Sequence, residues 1–304
     1  MKIAVHGYGG FGREVVPVSD PRDLPHRLSD FDLLVVRDGP FAVTGKLSTP
    51  LAGLCVPVLA AACAADANAN PNVVAVITTP LIAPMLDGRL AVAVAERPDE
   101  AHGALHVALA AIMGEQRRQT IVHPTALVHP SAFVSPTGVE IGAGAEVGPF
   151  CYIGPGVVIE EGARLHARVT LGTDGFNCGV VGGRRRPYPS VGGVRIKAFA
   201  NLLPGVVVSC AVFGGETVIG EEAMIDANAS ISHDVQIGRR ATVCALASIL
   251  GRAVVEDGAY IGPSAVVRNG FRVGAGAKVG MGAVVTKDVA PGVTVKGVPA
   301  APIS

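Results

Sequence analysis

The sequence predicts two domains, a small α/β domain over residues 1–118 and a parallel β-solenoid over residues 119–304. An aliphatic residue recurs at every sixth position through most of the second part, and the first part lacks this period. The composition agrees with a thin, repeating core, because the chain has 39 Gly and 49% hydrophobic residues but only 9 Phe, 4 Tyr and no Trp. An ordinary core fills more of its volume with large side chains.

The six-residue period is most regular between residues 219 and 285, where every sixth residue is Ile or Val. The same period runs through residues 122–171 with one slip, and it resumes through residues 196–208. Period six fits a short strand followed by a tight turn, and three such units make an eighteen-residue triangular coil with the aliphatic side chains inward. A small residue often follows four positions later and turns the corner, and Gly often follows the aliphatic directly and supplies backbone freedom.

This pattern resembles the hexapeptide repeat of left-handed parallel β-helix acyltransferases over residues 121–300. The resemblance implies the left-handed coil and about eight coils in total. The break at residues 172–195 is then a loop excursion from the helix, and a second break lies at residues 209–218.

The α/β domain begins with a strand candidate, Lys2 to His6, followed by a glycine-rich turn and a helix start at Arg13-Glu14-Val15-Val16. G-x-G-x-x-G between a strand and a helix is the order of Rossmann-like domains, in which helix N-terminal amides hold a diphosphate. A tight turn without a ligand is the alternative interpretation. The candidate nucleotide-sugar contacts are Gly7, Gly9, Gly10, Gly12, Arg13 and, after a second strand, Asp38.

Further elements complete this domain. Strands are predicted at residues 31–36 and 72–78, and a helix over residues 98–118 leads into the solenoid. The alternation of strands and helices predicts a mostly parallel sheet.

Charge and cysteine usage exclude several classes of protein. With 25 Lys+Arg against 25 Asp+Glu, the net charge is zero, which argues against a nucleic-acid partner. The six cysteines form no C-x-x-C pair, so neither a disulfide framework nor a zinc ribbon is expected. We expect no bound metal, because no three histidines have the spacing of a zinc site on a solenoid. We expect no membrane span and a cytoplasmic location, because no long apolar run or signal peptide occurs.

A core of Val and Ile has no chemistry, so the polar exceptions are the candidate catalytic residues. His233 can act as the base for an amine that attacks a thioester, and Asp234 can orient its ring. Gly251 lies eighteen residues later, so stacked coils bring its N–H close to His233, where it can stabilise an oxyanion. A solvated histidine and a plain corner glycine are the alternatives.

The order of the domains resembles that of bacterial acetyltransferases acting on nucleotide-linked amino sugars or sialic acid. Residues 233–238, His-Asp-Val-Gln-Ile-Gly, match the His-acid motif of that family. Residues 172–176, 191–194 and 217–220 resemble the UDP-3-O-acylglucosamine N-acyltransferase of lipid A synthesis, whose catalytic His and Gly match His233 and Gly251. That enzyme has a donor-contacting histidine where this chain has Gly270, which argues against a hydroxyacyl carrier-protein donor.

The C-terminal run resembles coenzyme A-dependent acetyltransferases, in which the last coils hold the pantetheine arm. The resemblance implies acyl-coenzyme A as co-substrate and no permanently bound cofactor. The candidate donor contacts are Lys278, Lys287, Lys296 and Gly297. Loops on rigid scaffolds often bind ligands, so the excursion offers the candidate substrate contacts Asp174, Phe176, Arg184, Arg185 and Arg186. A solvated loop is the alternative.

The sequence therefore predicts a homotrimeric N-acyltransferase that moves an acetyl or short acyl group from acyl-coenzyme A to the amine of a nucleotide-linked amino sugar, for a surface polysaccharide or a related glycoconjugate. Three alternatives stay open: a carrier-protein-dependent N-acyltransferase, a sugar O-acetyltransferase and a non-catalytic solenoid scaffold.

Overall fold

The computed structural model describes residues 117–302 except 182, 213, 214 and 300, together with short segments and single positions of residues 1–116. The chain divides into two units. One comprises residues 116–176 and 190–304, and the other comprises residues 1–115 and 177–189.

The larger unit is a three-sided parallel β-solenoid. Its strands are β6 Ile121–Val122, β7 Leu127–Val128, β8 Phe133–Val134, β9 Val139–Ile141, β10 Glu146–Val147, β11 Tyr152–Ile153, β12 Val157–Ile159, β13 Arg164–Leu165, β14 Thr170–Thr173, β17 Gly193–Ile196, β18 Asn201–Leu202, β19 Val207–Ser209, β20 Glu216–Ile219, β21 Met224–Ile225, β22 Ser230–Ile231, β23 Gln236–Ile237, β24 Thr242–Val243, β25 Ser248–Ile249, β26 Val254–Val255, β27 Tyr260–Ile261, β28 Val266–Val267, β29 Arg272–Val273, β30 Lys278–Val279, β31 Val284–Val285, β32 Thr294–Lys296 and β33 Ala301–Pro302.

Every third strand of the solenoid belongs to the same sheet. The first sheet runs from β6 and β9 to β29, the second from β7 and β10 to β33, and the third from β8 and β11 to β31. All pairs are parallel except β32 with β33. Three stacked parallel sheets agree with the predicted β-helix.

The core of the solenoid is a stack of small aliphatic side chains. Ile219, Ile225 and Ile231 are fully buried, and so are the small corner residues Ala223 and Ala229. Because each coil packs only on its neighbours, these columns of side chains bury a continuous core along the unit.

Glycines that directly follow an inward aliphatic have a different role from the predicted one. At Gly238, an added Cβ would lie 2.5 Å from the backbone N of Asp257 on the next coil. These glycines therefore allow close approach between coils. The left-handed backbone is found later in the turn, as at Asp234 and Arg252.

Register between coils locates the two breaks in the repeat. Ile231 pairs with Ile249, eighteen residues on, whereas Val208 pairs with Ile231 and Leu171 with Val208 across longer intervals. The coil after Val208 thus holds five extra residues, between positions 209 and 218. The excursion between residues 172 and 195 contains an antiparallel hairpin of β15 Cys178–Val181 and β16 Arg184–Pro187.

The described strands of the smaller unit, besides the hairpin, form one mixed sheet in the order β2-β1-β5-β4-β3. They are β1 Ile3–His6, β2 Val15–Val18, β3 Val56–Val58, β4 Ala75–Thr78 and β5 Ala91–Val94, and a 3-10 helix spans Ala83–Met85. β1 is antiparallel to both β2 and β5, while β3, β4 and β5 are parallel. The predicted strands at residues 2–6 and 72–78 are found, but the mostly parallel sheet is not.

The predicted helix start at residues 13–16 is wrong where the structure describes it, because Val15–Val18 is strand β2. Val15, Val16 and Val18 are β-branched and favour a strand, and Pro17 is tolerated on the edge strand that β2 forms. Gly7, Gly9, Gly10, Gly12, Arg13 and Asp38 lie outside the described residues, as does the predicted strand at 31–36.

The predicted helix over residues 98–118 is described at a few positions only. Residues 107, 110, 111 and 114 are helical, residues 117 and 118 are not, and the rest of the segment lies outside the described residues.

Candidate functional site

One corner of the solenoid carries the candidate catalytic pair. The corner connects β22 in the third sheet to β23 in the first sheet through residues 232–235. The side chain of His233 is only 9% exposed, and its Nδ1 lies 2.7 Å from Oδ2 of Asp234. Asp234 has a left-handed backbone with φ of 61°, a conformation that short polar side chains tolerate better than most.

The contact with Asp234 determines how the imidazole can react. A carboxylate accepts, so Nδ1 carries the proton in the neutral ring. The lone pair of Nε2 is then left for a proton from a substrate. This is the arrangement of a general base held by an orienting carboxylate.

Two glycines enclose the imidazole. A Cβ at Gly251 would lie 2.6 Å from Nε2 of His233, and a Cβ at Gly175 would lie 2.5 Å from the Cβ of His233. Gly251 is buried, and nothing in the described part of the chain accepts a hydrogen bond from its N–H. The ring therefore lies in a slot whose glycine walls leave room for no side chain, and Gly251 offers an unused donor.

Two hydrogen bonds from backbone N–H groups to side-chain oxygens join the two ends of the excursion. The N–H of Ser190 donates to Oδ1 of Asp174 at 2.8 Å, and the N–H of Gly175 donates to Oγ of Ser190 at 2.9 Å. These two bonds hold Gly175 where its backbone meets His233. Phe176, the next residue, is 86% exposed.

Buried and charged groups surround the pair. Burial, against the opposing charge of Arg117 and with help from the charges of Asp174 and Asp234, raises the pKa of the Cys210 thiol to about 12. Burial lowers the pKa of Arg252, and the charge of Asp234 opposes that shift. Arg252 follows Asp234 by one coil, so the eighteen-residue period that pointed to Gly251 could have found it too.

The repeat of this chain matches a known family. The family model described as bacterial transferase hexapeptide (six repeats) matches residues 138–173, 216–251 and 252–287. His233 and Gly251 both lie in the second of these blocks. Over these three blocks the chain carries the hexapeptide repeat of bacterial transferases.

Solved structures of sugar acyltransferases are similar to this chain at low identity. UDP-N-acetylglucosamine acyltransferase from Campylobacter jejuni is 21% identical with a TM-score of 0.50, over 60% of this chain and 74% of its own. LpxA from Acinetobacter baumannii is 15% identical with a TM-score of 0.49, over 61% and 72%. A variant of GDP-perosamine N-acetyl transferase from Caulobacter crescentus, solved with CoA and GDP-perosamine, is 21% identical with a TM-score of 0.25, over 75% and 77%. No curated protein matches significantly.

The lysines predicted to meet the acyl donor lie on two sides of the solenoid. Lys287 is exposed and lies three coils beyond His233 at the same corner, since β22, β25, β28 and β31 pair in register. At about 4.8 Å per strand, the two residues are about 14 Å apart along the axis. Lys278 in β30 and Lys296 in β32 are exposed on the second sheet, which does not border this corner, and Gly297 follows β32 with φ of 91°.

The remaining predictions concern the arginines of the excursion, metal binding and a membrane span. Arg184, Arg185 and Arg186 are exposed in β16, within the smaller unit. Among the described residues, no group of three or more His, Cys, Asp or Glu has the arrangement of a metal site. No helix in the described part of the chain is long and apolar enough to cross a membrane.

Sequence reasoning missed two residues of this corner, Thr217 and Gly175. Thr217 is fully buried and accepts a hydrogen bond from the N–H of Asp234. Both residues lie in or beside the breaks in the repeat, where the period gives no register.

Proposed function

We propose that the protein transfers an acyl group from acyl-coenzyme A to the amino group of a nucleotide-linked amino sugar. The observation that carries this proposal is the hydrogen bond of the buried His233 to the partly buried Asp234, with Nε2 of the ring against Gly251, whose N–H is unused. A base and an oxyanion donor side by side are the two parts that acyl transfer from a thioester requires.

The reaction follows from the positions of these groups. As the amine nitrogen attacks the thioester carbonyl, Nε2 of His233 takes a proton from it, and Asp234 stabilises the imidazolium that forms. The N–H of Gly251 donates to the oxyanion of the tetrahedral intermediate. When the carbon–sulfur bond breaks, the proton on Nε2 passes to the leaving thiolate, which restores the neutral ring.

The identity of the two substrates rests on separate support. An extended donor laid along the corner from His233 would reach Lys287 after about 14 Å, where a lysine suits a phosphate. The C-terminal resemblance to coenzyme A-dependent enzymes points the same way. The name of the Campylobacter jejuni neighbour contains a UDP-sugar, which supports a nucleotide-linked acceptor.

The proposal includes a homotrimer with sites between subunits, as in the enzymes that the chain resembles. The candidate nucleotide-sugar contacts are those of the glycine-rich turn together with Asp38, and the candidate substrate contacts Asp174 and Phe176 lie next to Gly175.

The test is a mass-spectrometric screen of UDP- and dTDP-linked amino sugars with acetyl-coenzyme A and with a hydroxyacyl carrier protein. We expect N-acylation with the coenzyme A donor, and a loss of at least about 100-fold in kcat/KM for His233→Ala without loss of folding. His166→Ala is the matched control, since His166 is an exposed histidine of the same solenoid. A near-normal rate in His233→Ala would show that His233 is not the base. Acyl transfer from the carrier protein alone would show that acyl-coenzyme A is not the donor.

A further inference from the structure

We propose that Thr217 is a positioning residue that fixes Asp234 and, through it, the tautomer of His233. This inference rests on the proposed function, because it takes His233 as the base. It begins from an exception in the core. Thr217 is fully buried in β20, and Thr217, Ser135 and His233 are the only buried polar residues in the described part of the chain.

The neighbours of Thr217 in its column of stacked side chains are valines. Val157 pairs with Val194, and Val194 pairs with Thr217 on the following coil. Val235 occupies the same place one coil later, because Val218 pairs with Gln236. Thr and Val have nearly the same shape, so packing alone does not require a hydroxyl at this position.

The hydroxyl has a specific partner. The N–H of Asp234 donates to Oγ1 of Thr217 at 2.8 Å. At the matching position of the next two coils, the N–H donates to a backbone carbonyl of the preceding coil. Arg252 donates to the O of His233 at 3.0 Å, and Gly270 donates to the O of Gly251 at 3.1 Å. At Asp234 a side chain has replaced that carbonyl.

The five-residue insertion explains the replacement. The coil before Asp234 is widened between residues 209 and 218, and the carbonyl nineteen residues before Asp234, the ordinary acceptor, belongs to this segment. An N–H that has neither water nor a protein acceptor destabilises the fold, so the widened corner needs another acceptor. Thr217 supplies it at the end of the insertion.

The hydrogen bond to Thr217 bears directly on the catalytic pair. Asp234 has a left-handed backbone, and its carboxylate holds Nδ1 of His233 at 2.7 Å, with the N–H of Val212 3.5 Å from the same oxygen. If the N–H of Asp234 loses its acceptor, the residue can rotate and carry the carboxylate away from Nδ1. The neutral ring can then carry its proton on either nitrogen. In the tautomer with the proton on Nε2, that atom has no lone pair to accept a proton from the substrate.

The experiment compares Thr217→Val, Thr217→Ser and Val194→Ala in the full-length protein. Thr217→Val removes the hydroxyl and keeps the shape, whereas Thr217→Ser keeps the hydroxyl. Val194→Ala is the control for lost packing, because Val194 is buried one coil earlier in the same column. The readouts are thermal unfolding, kcat and KM, and the tautomer of His233 from the nitrogen shifts of 15N-histidine-labelled protein, assigned with His233→Ala.

For Thr217→Val we expect a folded protein, a fall in kcat of at least about 10-fold with KM little changed, and loss of the pure Nδ1–H signal. Thr217→Ser and Val194→Ala should keep both the signal and most of kcat. An unchanged tautomer in Thr217→Val, or equal losses in Thr217→Val and Val194→Ala, would overturn the inference. The tautomer is measured without substrate, so a failure of the proposed reaction leaves this test intact.

Discussion

At Gly251 a single methyl group would meet the imidazole of His233, the proposed base. An added Cβ would lie 2.6 Å from both Nε2 and Cε1 of His233, closer than real Cβ atoms approach other atoms. The backbone of Gly251 is not left-handed, so alanine there strains the contact with the ring and not the chain.

We therefore expect Gly251→Ala to displace the imidazole and to lower kcat/KM by at least about 100-fold, with little change in the melting temperature. Gly280→Ala is the matched control, because its added methyl meets nothing closer than 3.3 Å. Steady-state kinetics and thermal unfolding of the two variants decide the point. Equal activity in both would mean that the ring tolerates the methyl group.

The proximity of His233 and Gly251 could be predicted from the sequence because both lie on regular coils eighteen residues apart. The hydrogen bond of Thr217 to Asp234 could not be predicted, since its donor and acceptor lie seventeen residues apart across a widened coil. Gly175 was missed for the same reason. Its contact with His233 crosses both breaks in the repeat.

At the scale of elements, the base of the excursion supports the slot around His233. Gly175 lies against His233, its N–H donates to the hydroxyl of Ser190, and the N–H of Ser190 donates to the carboxylate of Asp174. The two ends of the excursion are thus joined beside His233 by two hydrogen bonds within the solenoid unit.

We expect Ser190→Ala to free Gly175 from the ring and to lower kcat by about 10-fold with little effect on the fold. Ser230→Ala, an exposed serine on the strand that leads to His233, should keep full activity. Kinetics with saturating substrates provide the measurement. An unaffected kcat in Ser190→Ala would show that the slot holds without this bond.

The strands of the solenoid could be predicted from the six-residue period of the sequence. The elements of the N-terminal unit, which lacks this period, could be predicted only in part. Six-residue spacing defines strand, turn and register at once, because a shift by one residue would turn the aliphatics outward. At Val15–Val18 a glycine-rich turn suggested a helix, but β-branched residues and pairing with β1 made a strand. Short apolar runs do not distinguish these outcomes without their partners.

At the scale of the whole molecule, the arrangement of the lysines leads to a prediction about assembly. His233 and Lys287 share one corner of a single chain, while Lys278 and Lys296 lie on the second sheet, the side opposite that corner. If the sheet-borne lysines bind the donor, each active site of the proposed homotrimer must take His233 from one subunit and these lysines from its neighbour.

Mixed trimers test this arrangement. We expect co-assembly of His233→Ala subunits with Lys278→Glu/Lys296→Glu subunits to recover activity that neither homotrimer has, at about a quarter of the sites for equal random mixing, because only that fraction pairs an intact histidine with intact lysines. His233→Ala mixed with Lys287→Glu is the control and should recover nothing, since those two residues belong to one chain's corner. Recovery in the control, or none in the first mixture, would contradict this division of the site between subunits.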